Sequence, residues 1–408
     1  MRTSILLLLA CATAACGADS PARDSLVAVV DTVDGVEHLS YPADPASPLA
    51  WRFDTLAVIG GAAVDDENYQ FQNARLAGNA QGHLFVLDGQ GKRILRYDER
   101  GSFVQSYGRE GGGPGELRMP ISIALGPGDS LWVPDMMNRR ITIFDPVGAG
   151  SRIIGGAADR GMNVSDVSLA GGSYYRTAEA FVPRASADGE ELPVPLVRYA
   201  LDGTALDTVW RHQPLPSNEV RFELGGMPIT RRMRPAYAPA LRWAVLSDGR
   251  VVVSDSANYV LHIILPEGTI ERTIRRGPPA RPVTEADREA ARERERNLPP
   301  PRLPGMPADA QEFRNKGAEN MTFADVIPRI TNLTVDPKDR IWVGVSVNRP
   351  EKTERTERID VYDASGRLLG EIRDPAFFPH LPYGTDLVAR LTTDEFDVQQ
   401  VIAMRVVE

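Results

Sequence analysis

The sequence predicts an all-β chain, a ring of six four-stranded sheets closed where its two ends meet. Three observations carry that prediction. A unit recurs at a spacing of 47 residues, counted from Asp88 to Asp135, and internal periods of about 20 to 50 residues mark repeat architectures. Within each unit, short segments rich in Ile, Val and Tyr alternate with Gly and Asp turns, the composition of strands and tight hairpins. Strongly helical windows are scarce in this 408-residue chain, which holds 36 Gly and 32 Pro.

The first copy comprises Asn79–Asp88, Lys92–Asp98 and Gly101–Gly108; the second comprises Gly126–Asp135, Asn138–Asp145 and Ser151–Gly155. Weaker copies follow at Leu246–Asp255 with Asn258–Leu265 and Thr269–Ile274, and at Val335–Gly344 with Arg358–Asp363 and Gly366–Ile372. A degenerate copy sits at Gly171–Thr177, Leu196–Ala200 and Gly203–Val209. Each unit reads as four strands, a to d, with strand a an apolar stretch such as Ile121–Leu125 or Leu333–Val335. The Asp, Asn and Arg residues of the b–c turns read as turn formers and hydrogen bonders rather than catalysts.

The string Gly108–Leu117 before strand a, together with Asp135–Asp145, resembles NHL repeats. More broadly the pattern is similar to the six-bladed β-propeller superfamily that includes TolB-like propellers, a likeness covering roughly residues 70 to 375. It implies six blades. Five have strand a near residues 75, 121, 165, 243 and 331, and the sixth starts at Asp386–Leu391 and ends with Gln400–Val407. The chain stops too early to finish that blade, so Arg52–Ile59 is expected to supply an outer strand. Closure of this kind leaves only short protected edges. A seventh blade would need segment 26 to 60 to form its own sheet.

In such a ring the d–a and b–c connections emerge at one end of the channel. Three d–a connections are long: 108–119, about 211–240 and about 276–329. Loops beyond about 12 to 15 residues usually serve function or lack order. The third holds one helical segment, Thr284–Arg296, with Thr284 as N-cap and Asp287 at the capping-box position. It has almost no apolar face, which predicts a solvated insertion; the functional alternative is a lid or partner arm over the channel mouth. The second connection is basic, with Arg211, Arg221, Arg231, Arg232, Arg234 and Arg242 against Glu219 and Glu223. Arginines grip carboxylate, sulfate or phosphate through paired donors. These residues, with Tyr237 and Trp243 as stacking platforms, are candidates for binding an anionic glycan or headgroup.

The superfamily likeness also implies an enzymatic alternative, because gluconolactonase-like, paraoxonase-like and streptogramin-lyase propellers hold a divalent metal in the channel. The residues expected there are Arg75, Asp166, Arg242, Asn332 and Asp386. Asp166, Asn332 and Asp386 offer oxygen to a Ca²⁺-like cation, whereas Arg75 and Arg242 would oppose it. None of the five histidines, His38, His83, His212, His262 and His380, falls at an expected channel position. No Gly-x-Ser-x-Gly elbow, zinc-type cluster or phosphate loop occurs; Gly111–Gly115 lacks the required Lys and reads as a flexible connector.

The first residues complete the expectation. Arg2 and the apolar run Ile5–Ala10 read as a secretory signal, too short to span a bilayer. Thr13-Ala14-Ala15-Cys16 resembles a bacterial lipobox with Thr13 in the usual Leu position, and Cys11 after Leu8-Leu9-Ala10 competes. Cys16 leaves the longer apolar run. The expected organisation is a signal peptide (1–15), a lipidated tether (16–25) and one propeller (26–408). With Cys11 and Cys16 the only cysteines, no disulfide staples the body. A net charge of −9 gives no footprint for nucleic acid. The expected function is non-catalytic: a protein tethered to the bacterial envelope that binds a protein, peptide or glycan on its long-loop face.

Overall fold

Alternation on both faces of short strands is what builds this molecule. In Leu84–Asp88, Leu84 and Val86 point to one neighbouring sheet while Phe85 and Leu87 point to the other. The computed structural model describes residues 27–43, 46–148, 150–155, 167–177, 191–224, 227–298, 311–346, 356–373 and 377–408. Cys16, Cys11 and Asp166, with the proposed signal and tether, lie outside these residues.

Six antiparallel sheets form six blades. Blade 1 comprises Arg75–Gly78, Leu84–Asp88, Arg93–Tyr97 and Phe103–Tyr107, and blade 2 Ala124–Leu125, Leu131–Asp135, Arg140–Phe144 and Ser151–Gly155. Blade 3 comprises Val167–Ala170, Ser173–Thr177, Val194–Ala200 and Ala205–His212, and blade 4 Arg242–Val245, Val251–Ser254, Val260–Ile264 and Ile270–Arg276. Blade 5 comprises Ile330–Val335, Ile341–Ser346, Thr356–Tyr362 and Leu368–Arg373. Blade 6 comprises Leu381–Tyr383, Leu387–Thr393, Gln399–Val407 and, from the other end of the chain, Arg52–Gly60. The innermost strands touch in a closed circle.

Six apolar clusters hold the ring, one at each interface between neighbouring blades. Trp132 fills the interface of blades 2 and 3, and Trp342 that of blades 5 and 6. Burying one large apolar side chain contributes about 1.5–3 kcal/mol, so each sheet is stable only against its neighbours. The closing strand is antiparallel to the last one, from Arg52 opposite Val407 to Gly60 opposite Gln400. It covers an edge that would otherwise expose unpaired backbone groups. At its exit Gly60 has φ +89°, and a Cβ there would lie 2.8 Å from the Phe71 ring.

This topology holds the ring at six blades, as expected, and corrects where the last one starts. Segment 29–41 forms no seventh blade: Val36–Tyr41 runs parallel to Ile270–Arg276, and Val29–Val33 adds a further strand outside it. Blade 6 begins at Leu381, not Asp386. Asp386 sits in the a–b turn, at the opposite end of the blade from the long connections, 3.5 Å from Arg405. The run read as its first strand is its second, because the true first strand is three residues long and contains Pro382.

Candidate functional site: the channel mouth and the cap beside it

The channel is lined by the inner strand of every blade and encloses about 650 Å³. Arg75, Ser122, Ser168, Trp243, Thr334 and His380 supply its polar and aromatic lining. Arg75 is exposed to the channel; its Nη1 donates to the carbonyl of Ala74 at 2.9 Å, and it has no carboxylate partner among the described residues. His380 accepts from the Leu391 N–H at 3.2 Å through Nδ1, which leaves the proton on Nε2. Enclosure by protein, and then the Arg390 guanidinium, hold its imidazole below the ordinary histidine range. Arg242 starts the inner strand of blade 4, next to Trp243. Its Nε is buried without a hydrogen-bond partner, and burial pulls its pKa down.

The turns at this end are fastened by the acids that the repeat supplies. Asp135 accepts the N–H groups of Arg118 (2.8 Å), Met119 (3.0 Å) and Asn138 (3.1 Å). Asp88 does the same for Gln72 (3.1 Å) and Gly91 (2.9 Å). In blade 4 Ser256 takes over, accepting from the Ala240 N–H at 3.0 Å. These side chains join the strand b end to the segment entering strand a, so they are structural. The connector 108–119 is likewise built rather than loose. Arg109–Glu110 pairs with Glu116–Leu117, and Arg140 donates to the carbonyls of Gly112, Gly113 and Glu116.

The second and third connections fold together into one cap on this face. The hairpin Asn218–Leu224 with Met227–Met233 packs against helix α2 (Gln311–Glu319), which packs against helix α1 (Glu285–Asn297). Helix α1 starts with the expected capping box: Thr284 Oγ1 accepts from the Asp287 N–H at 3.3 Å, and Asp287 accepts from the Thr284 N–H at 2.9 Å. Its inner face is Asp287, Ala291 and Glu295. Arg281 grips Asp287 with two hydrogen bonds of 2.6 and 2.7 Å, the main reason that the carboxyl lies well below the usual range. Glu295 accepts from Arg231 at 2.9 Å and Arg314 at 3.1 Å. The solvated insertion predicted for α1 is therefore corrected: the helix buries charge against arginines instead of burying apolar surface.

The predicted site residues divide accordingly. Arg75 and Trp243 line the channel, and Arg242 stands beside it. Arg231 is corrected from ligand contact to strut, since it pairs with Glu295 and stacks 4.6 Å from the Phe313 ring centre. Tyr237 is likewise occupied, its hydroxyl donating to the Asp287 carbonyl at 2.9 Å. Arg232 and Arg234 are exposed on the cap, each engaged within the protein. Asn332 lies on the inner strand of blade 5, its Nδ2 donating to Thr331 Oγ1 at 3.3 Å, and does not line the channel. With Asp386 at the far turn, the expected cation ligands Asn332 and Asp386 do not converge. Among the described residues no group of three or more His, Cys, Asp or Glu side chains is placed to hold a metal. The described residues thus assemble no channel Ca²⁺ site, and Asp166 lies outside them. Ser122, Ser168 and Thr334 went unnoticed as site residues in the sequence, and His380, expected outside the channel, is corrected to its lining. The first three are small residues in unremarkable strands, and His380 was hidden by the misplaced start of blade 6.

No family model matches the chain. A stretch of 80 residues, 19% of the chain, is 31% identical to "NHL repeat-containing protein 3" of Homo sapiens and 30% identical to its Mus musculus counterpart. That stretch spans about a quarter of those relatives' length, 23% of each. A Bacteroides fragilis protein described as exported superposes with a TM-score of 0.47 at 10% identity, over 91% of this chain and all of that one. An aldose sugar dehydrogenase of Streptomyces coelicolor gives 0.42 at 14% identity, over 89% and 100%. Virginiamycin B lyase of Staphylococcus aureus gives 0.40 at 8%, over 88% and 100%. At such scores none of the three bears on what this chain does. The chain is a six-bladed β-propeller with a local likeness to NHL repeats, its channel mouth and its cap on one face.

Proposed function

We propose that this is an exported binding protein of the bacterial envelope, anchored through a lipid on Cys16, whose long-loop face takes a protein, peptide or glycan partner without chemistry. The observation that carries the reading is the cap. The two long connections on either side of blade 4 are folded into one braced unit on the face where the channel opens. Loops ordered at such expense on a rigid scaffold are typical binding surfaces. The channel beside it gathers hydroxyls, an indole and a guanidinium rather than paired carboxylates, which suits recognition better than acid–base or metal chemistry. The signal-like start and the Cys16 lipobox support the anchor.

Capture of partners from the source envelope by the full-length protein tests the reading. One reproducible partner, lost when the exposed Arg232 and Arg234 are both replaced by Ala, is expected. Turnover of lactone substrates with no captured partner would overturn it. For the anchor, Cys16→Ser should move the protein from the membrane to the soluble fraction; unchanged fractionation removes the lipid.

A further inference from the structure

We infer that the channel mouth is a specific site for an oxyanion group, a carboxylate or a phosphoryl group on a small ligand, with Arg75 as its anchor; this deepens the binding role proposed above and rests on it. The first ground is the sign of the lining. Among the described residues Arg75 is the one charged side chain that lines the cavity. The chain carries 55 acidic against 46 basic residues, and at the same end Arg93 and Arg140 are held by turn groups. Arg75 meets only the Ala74 carbonyl, so its outer guanidinium donors are left for a planar acceptor.

The second ground is independent. Arg242 belongs to blade 4, which stands across the ring from blade 1. Its Nε is buried with nothing to donate to, and the surrounding protein pulls its pKa down rather than up, as expected where no carboxylate compensates. Arg75, on the lining, and Arg242, beside it, thus begin inner strands on opposite sides of the ring, neither paired with a carboxylate among the described residues. Low-dielectric walls focus their field into the opening. The third ground is the hydroxyl set. Ser122 is only 7% exposed, lines the channel, and its hydroxyl has no partner among the described residues. Ser168 and Thr334 line it too, and His380 keeps an Nε2–H to donate. Donors from five blades therefore converge on one cavity. The Trp243 ring offers an apolar flank to the body of the ligand.

Isothermal titration of the full-length detergent-extracted protein with citrate, with inorganic phosphate and with glucose at low ionic strength tests this. Saturable binding of at least one anion, none of glucose, and weakening with added salt are expected. Arg75→Gln should weaken the anion at least tenfold, with Arg75→Lys recovering part of it, while thermal unfolding stays that of the parent. Citrate binding more tightly than phosphate assigns a carboxylate ligand; the reverse order assigns a phosphoryl ligand. Absence of saturable binding by both anions, or equal affinity in Arg75→Gln, overturns the site. Partner capture that persists in Arg75→Gln would then show that only this inference, and not the binding role, has failed.

Discussion

Replacing Asp360 by Asn should cost the fold about 3 kcal/mol, and the reason lies in how the chain connects its blades. Blades 4 and 5 are joined only through residues 277–329, the longest excursion in the ring. Their interface carries the most buried ionic network. Arg276, fully buried, meets Asp360 at 2.5 Å and Glu371 at 2.8 Å. Arg358 reaches Asp360 at 2.7 Å, and the Tyr259 hydroxyl donates to it at 2.7 Å. Burial pulls the Arg276 guanidinium down, but Asp360 and its neighbours outweigh that and leave it net raised. Breaking a buried pair by removing one partner costs about 3–5 kcal/mol. Asn keeps the shape and Glu371 still holds Arg276, which places this variant at the low end. With an unfolding entropy of about 2.1 cal/mol/K per residue, the melting temperature should fall by about 4 °C. Urea unfolding of the single variants and the Asp360→Asn, Arg276→Met double variant measures both the cost and the coupling. The two costs should be sub-additive, because the second change removes a charge that the first left only partly compensated, by Glu371. A loss under about 1 kcal/mol, or strict additivity, would refute the network as the clamp between these blades.

Other variants probe the remaining joints. Ile59→Ala, on the closing strand and buried against blade 1, should cost about 2–5 kcal/mol by urea unfolding; a neutral result would mean that the seam does not bear load. Phe313→Ala should speed hydrogen exchange in 218–233 and 311–319 together while blade amides keep their protection, since Phe313 stacks on both Phe222 and Arg231. The cap should also be acid-labile. Asp287 has a folded pKa below its unfolded value of about 3.9. Its contribution is therefore complete above about pH 4 and is lost as pH falls through the folded pKa. Asp287→Asn should remove that acid-dependent step in an exchange or fluorescence titration; a step that remains assigns it elsewhere.

The fold was more legible than the site, for physical reasons. Strands such as Leu131–Asp135 and Val251–Ser254 are buried on both faces and read as short apolar runs between Asp and Gly turns, a purely local signal. Closure by Arg52–Gly60 was legible too, because an unfinished blade needs an edge. The docking of Val36–Tyr41 beside Ile270–Arg276 was not, since parallel pairing across more than two hundred residues leaves no local trace. The same holds for α1. Its bounds and capping box follow from Thr284 and Asp287, but its burial depends on Arg281, Arg231 and Arg314 arriving from elsewhere. Helical periodicity reports apolar faces, and this face is ionic.

The contrast between two kinds of arginine then becomes informative. Arg276, Arg281 and Arg231 are enclosed, and each meets a carboxylate within 3 Å. The chain can evidently place acids where buried cations need them. Among the described residues Arg242 and Arg329 are enclosed without any such partner, and Arg75 faces the channel with only a backbone carbonyl. A buried guanidinium lacking an acceptor costs stability, and the six inter-blade clusters are large enough to carry that cost. What an unneutralised positive group does supply is attraction for a negative group arriving from solvent, which is why the channel is the place to look for a small anionic ligand, beside the larger partner proposed for the cap.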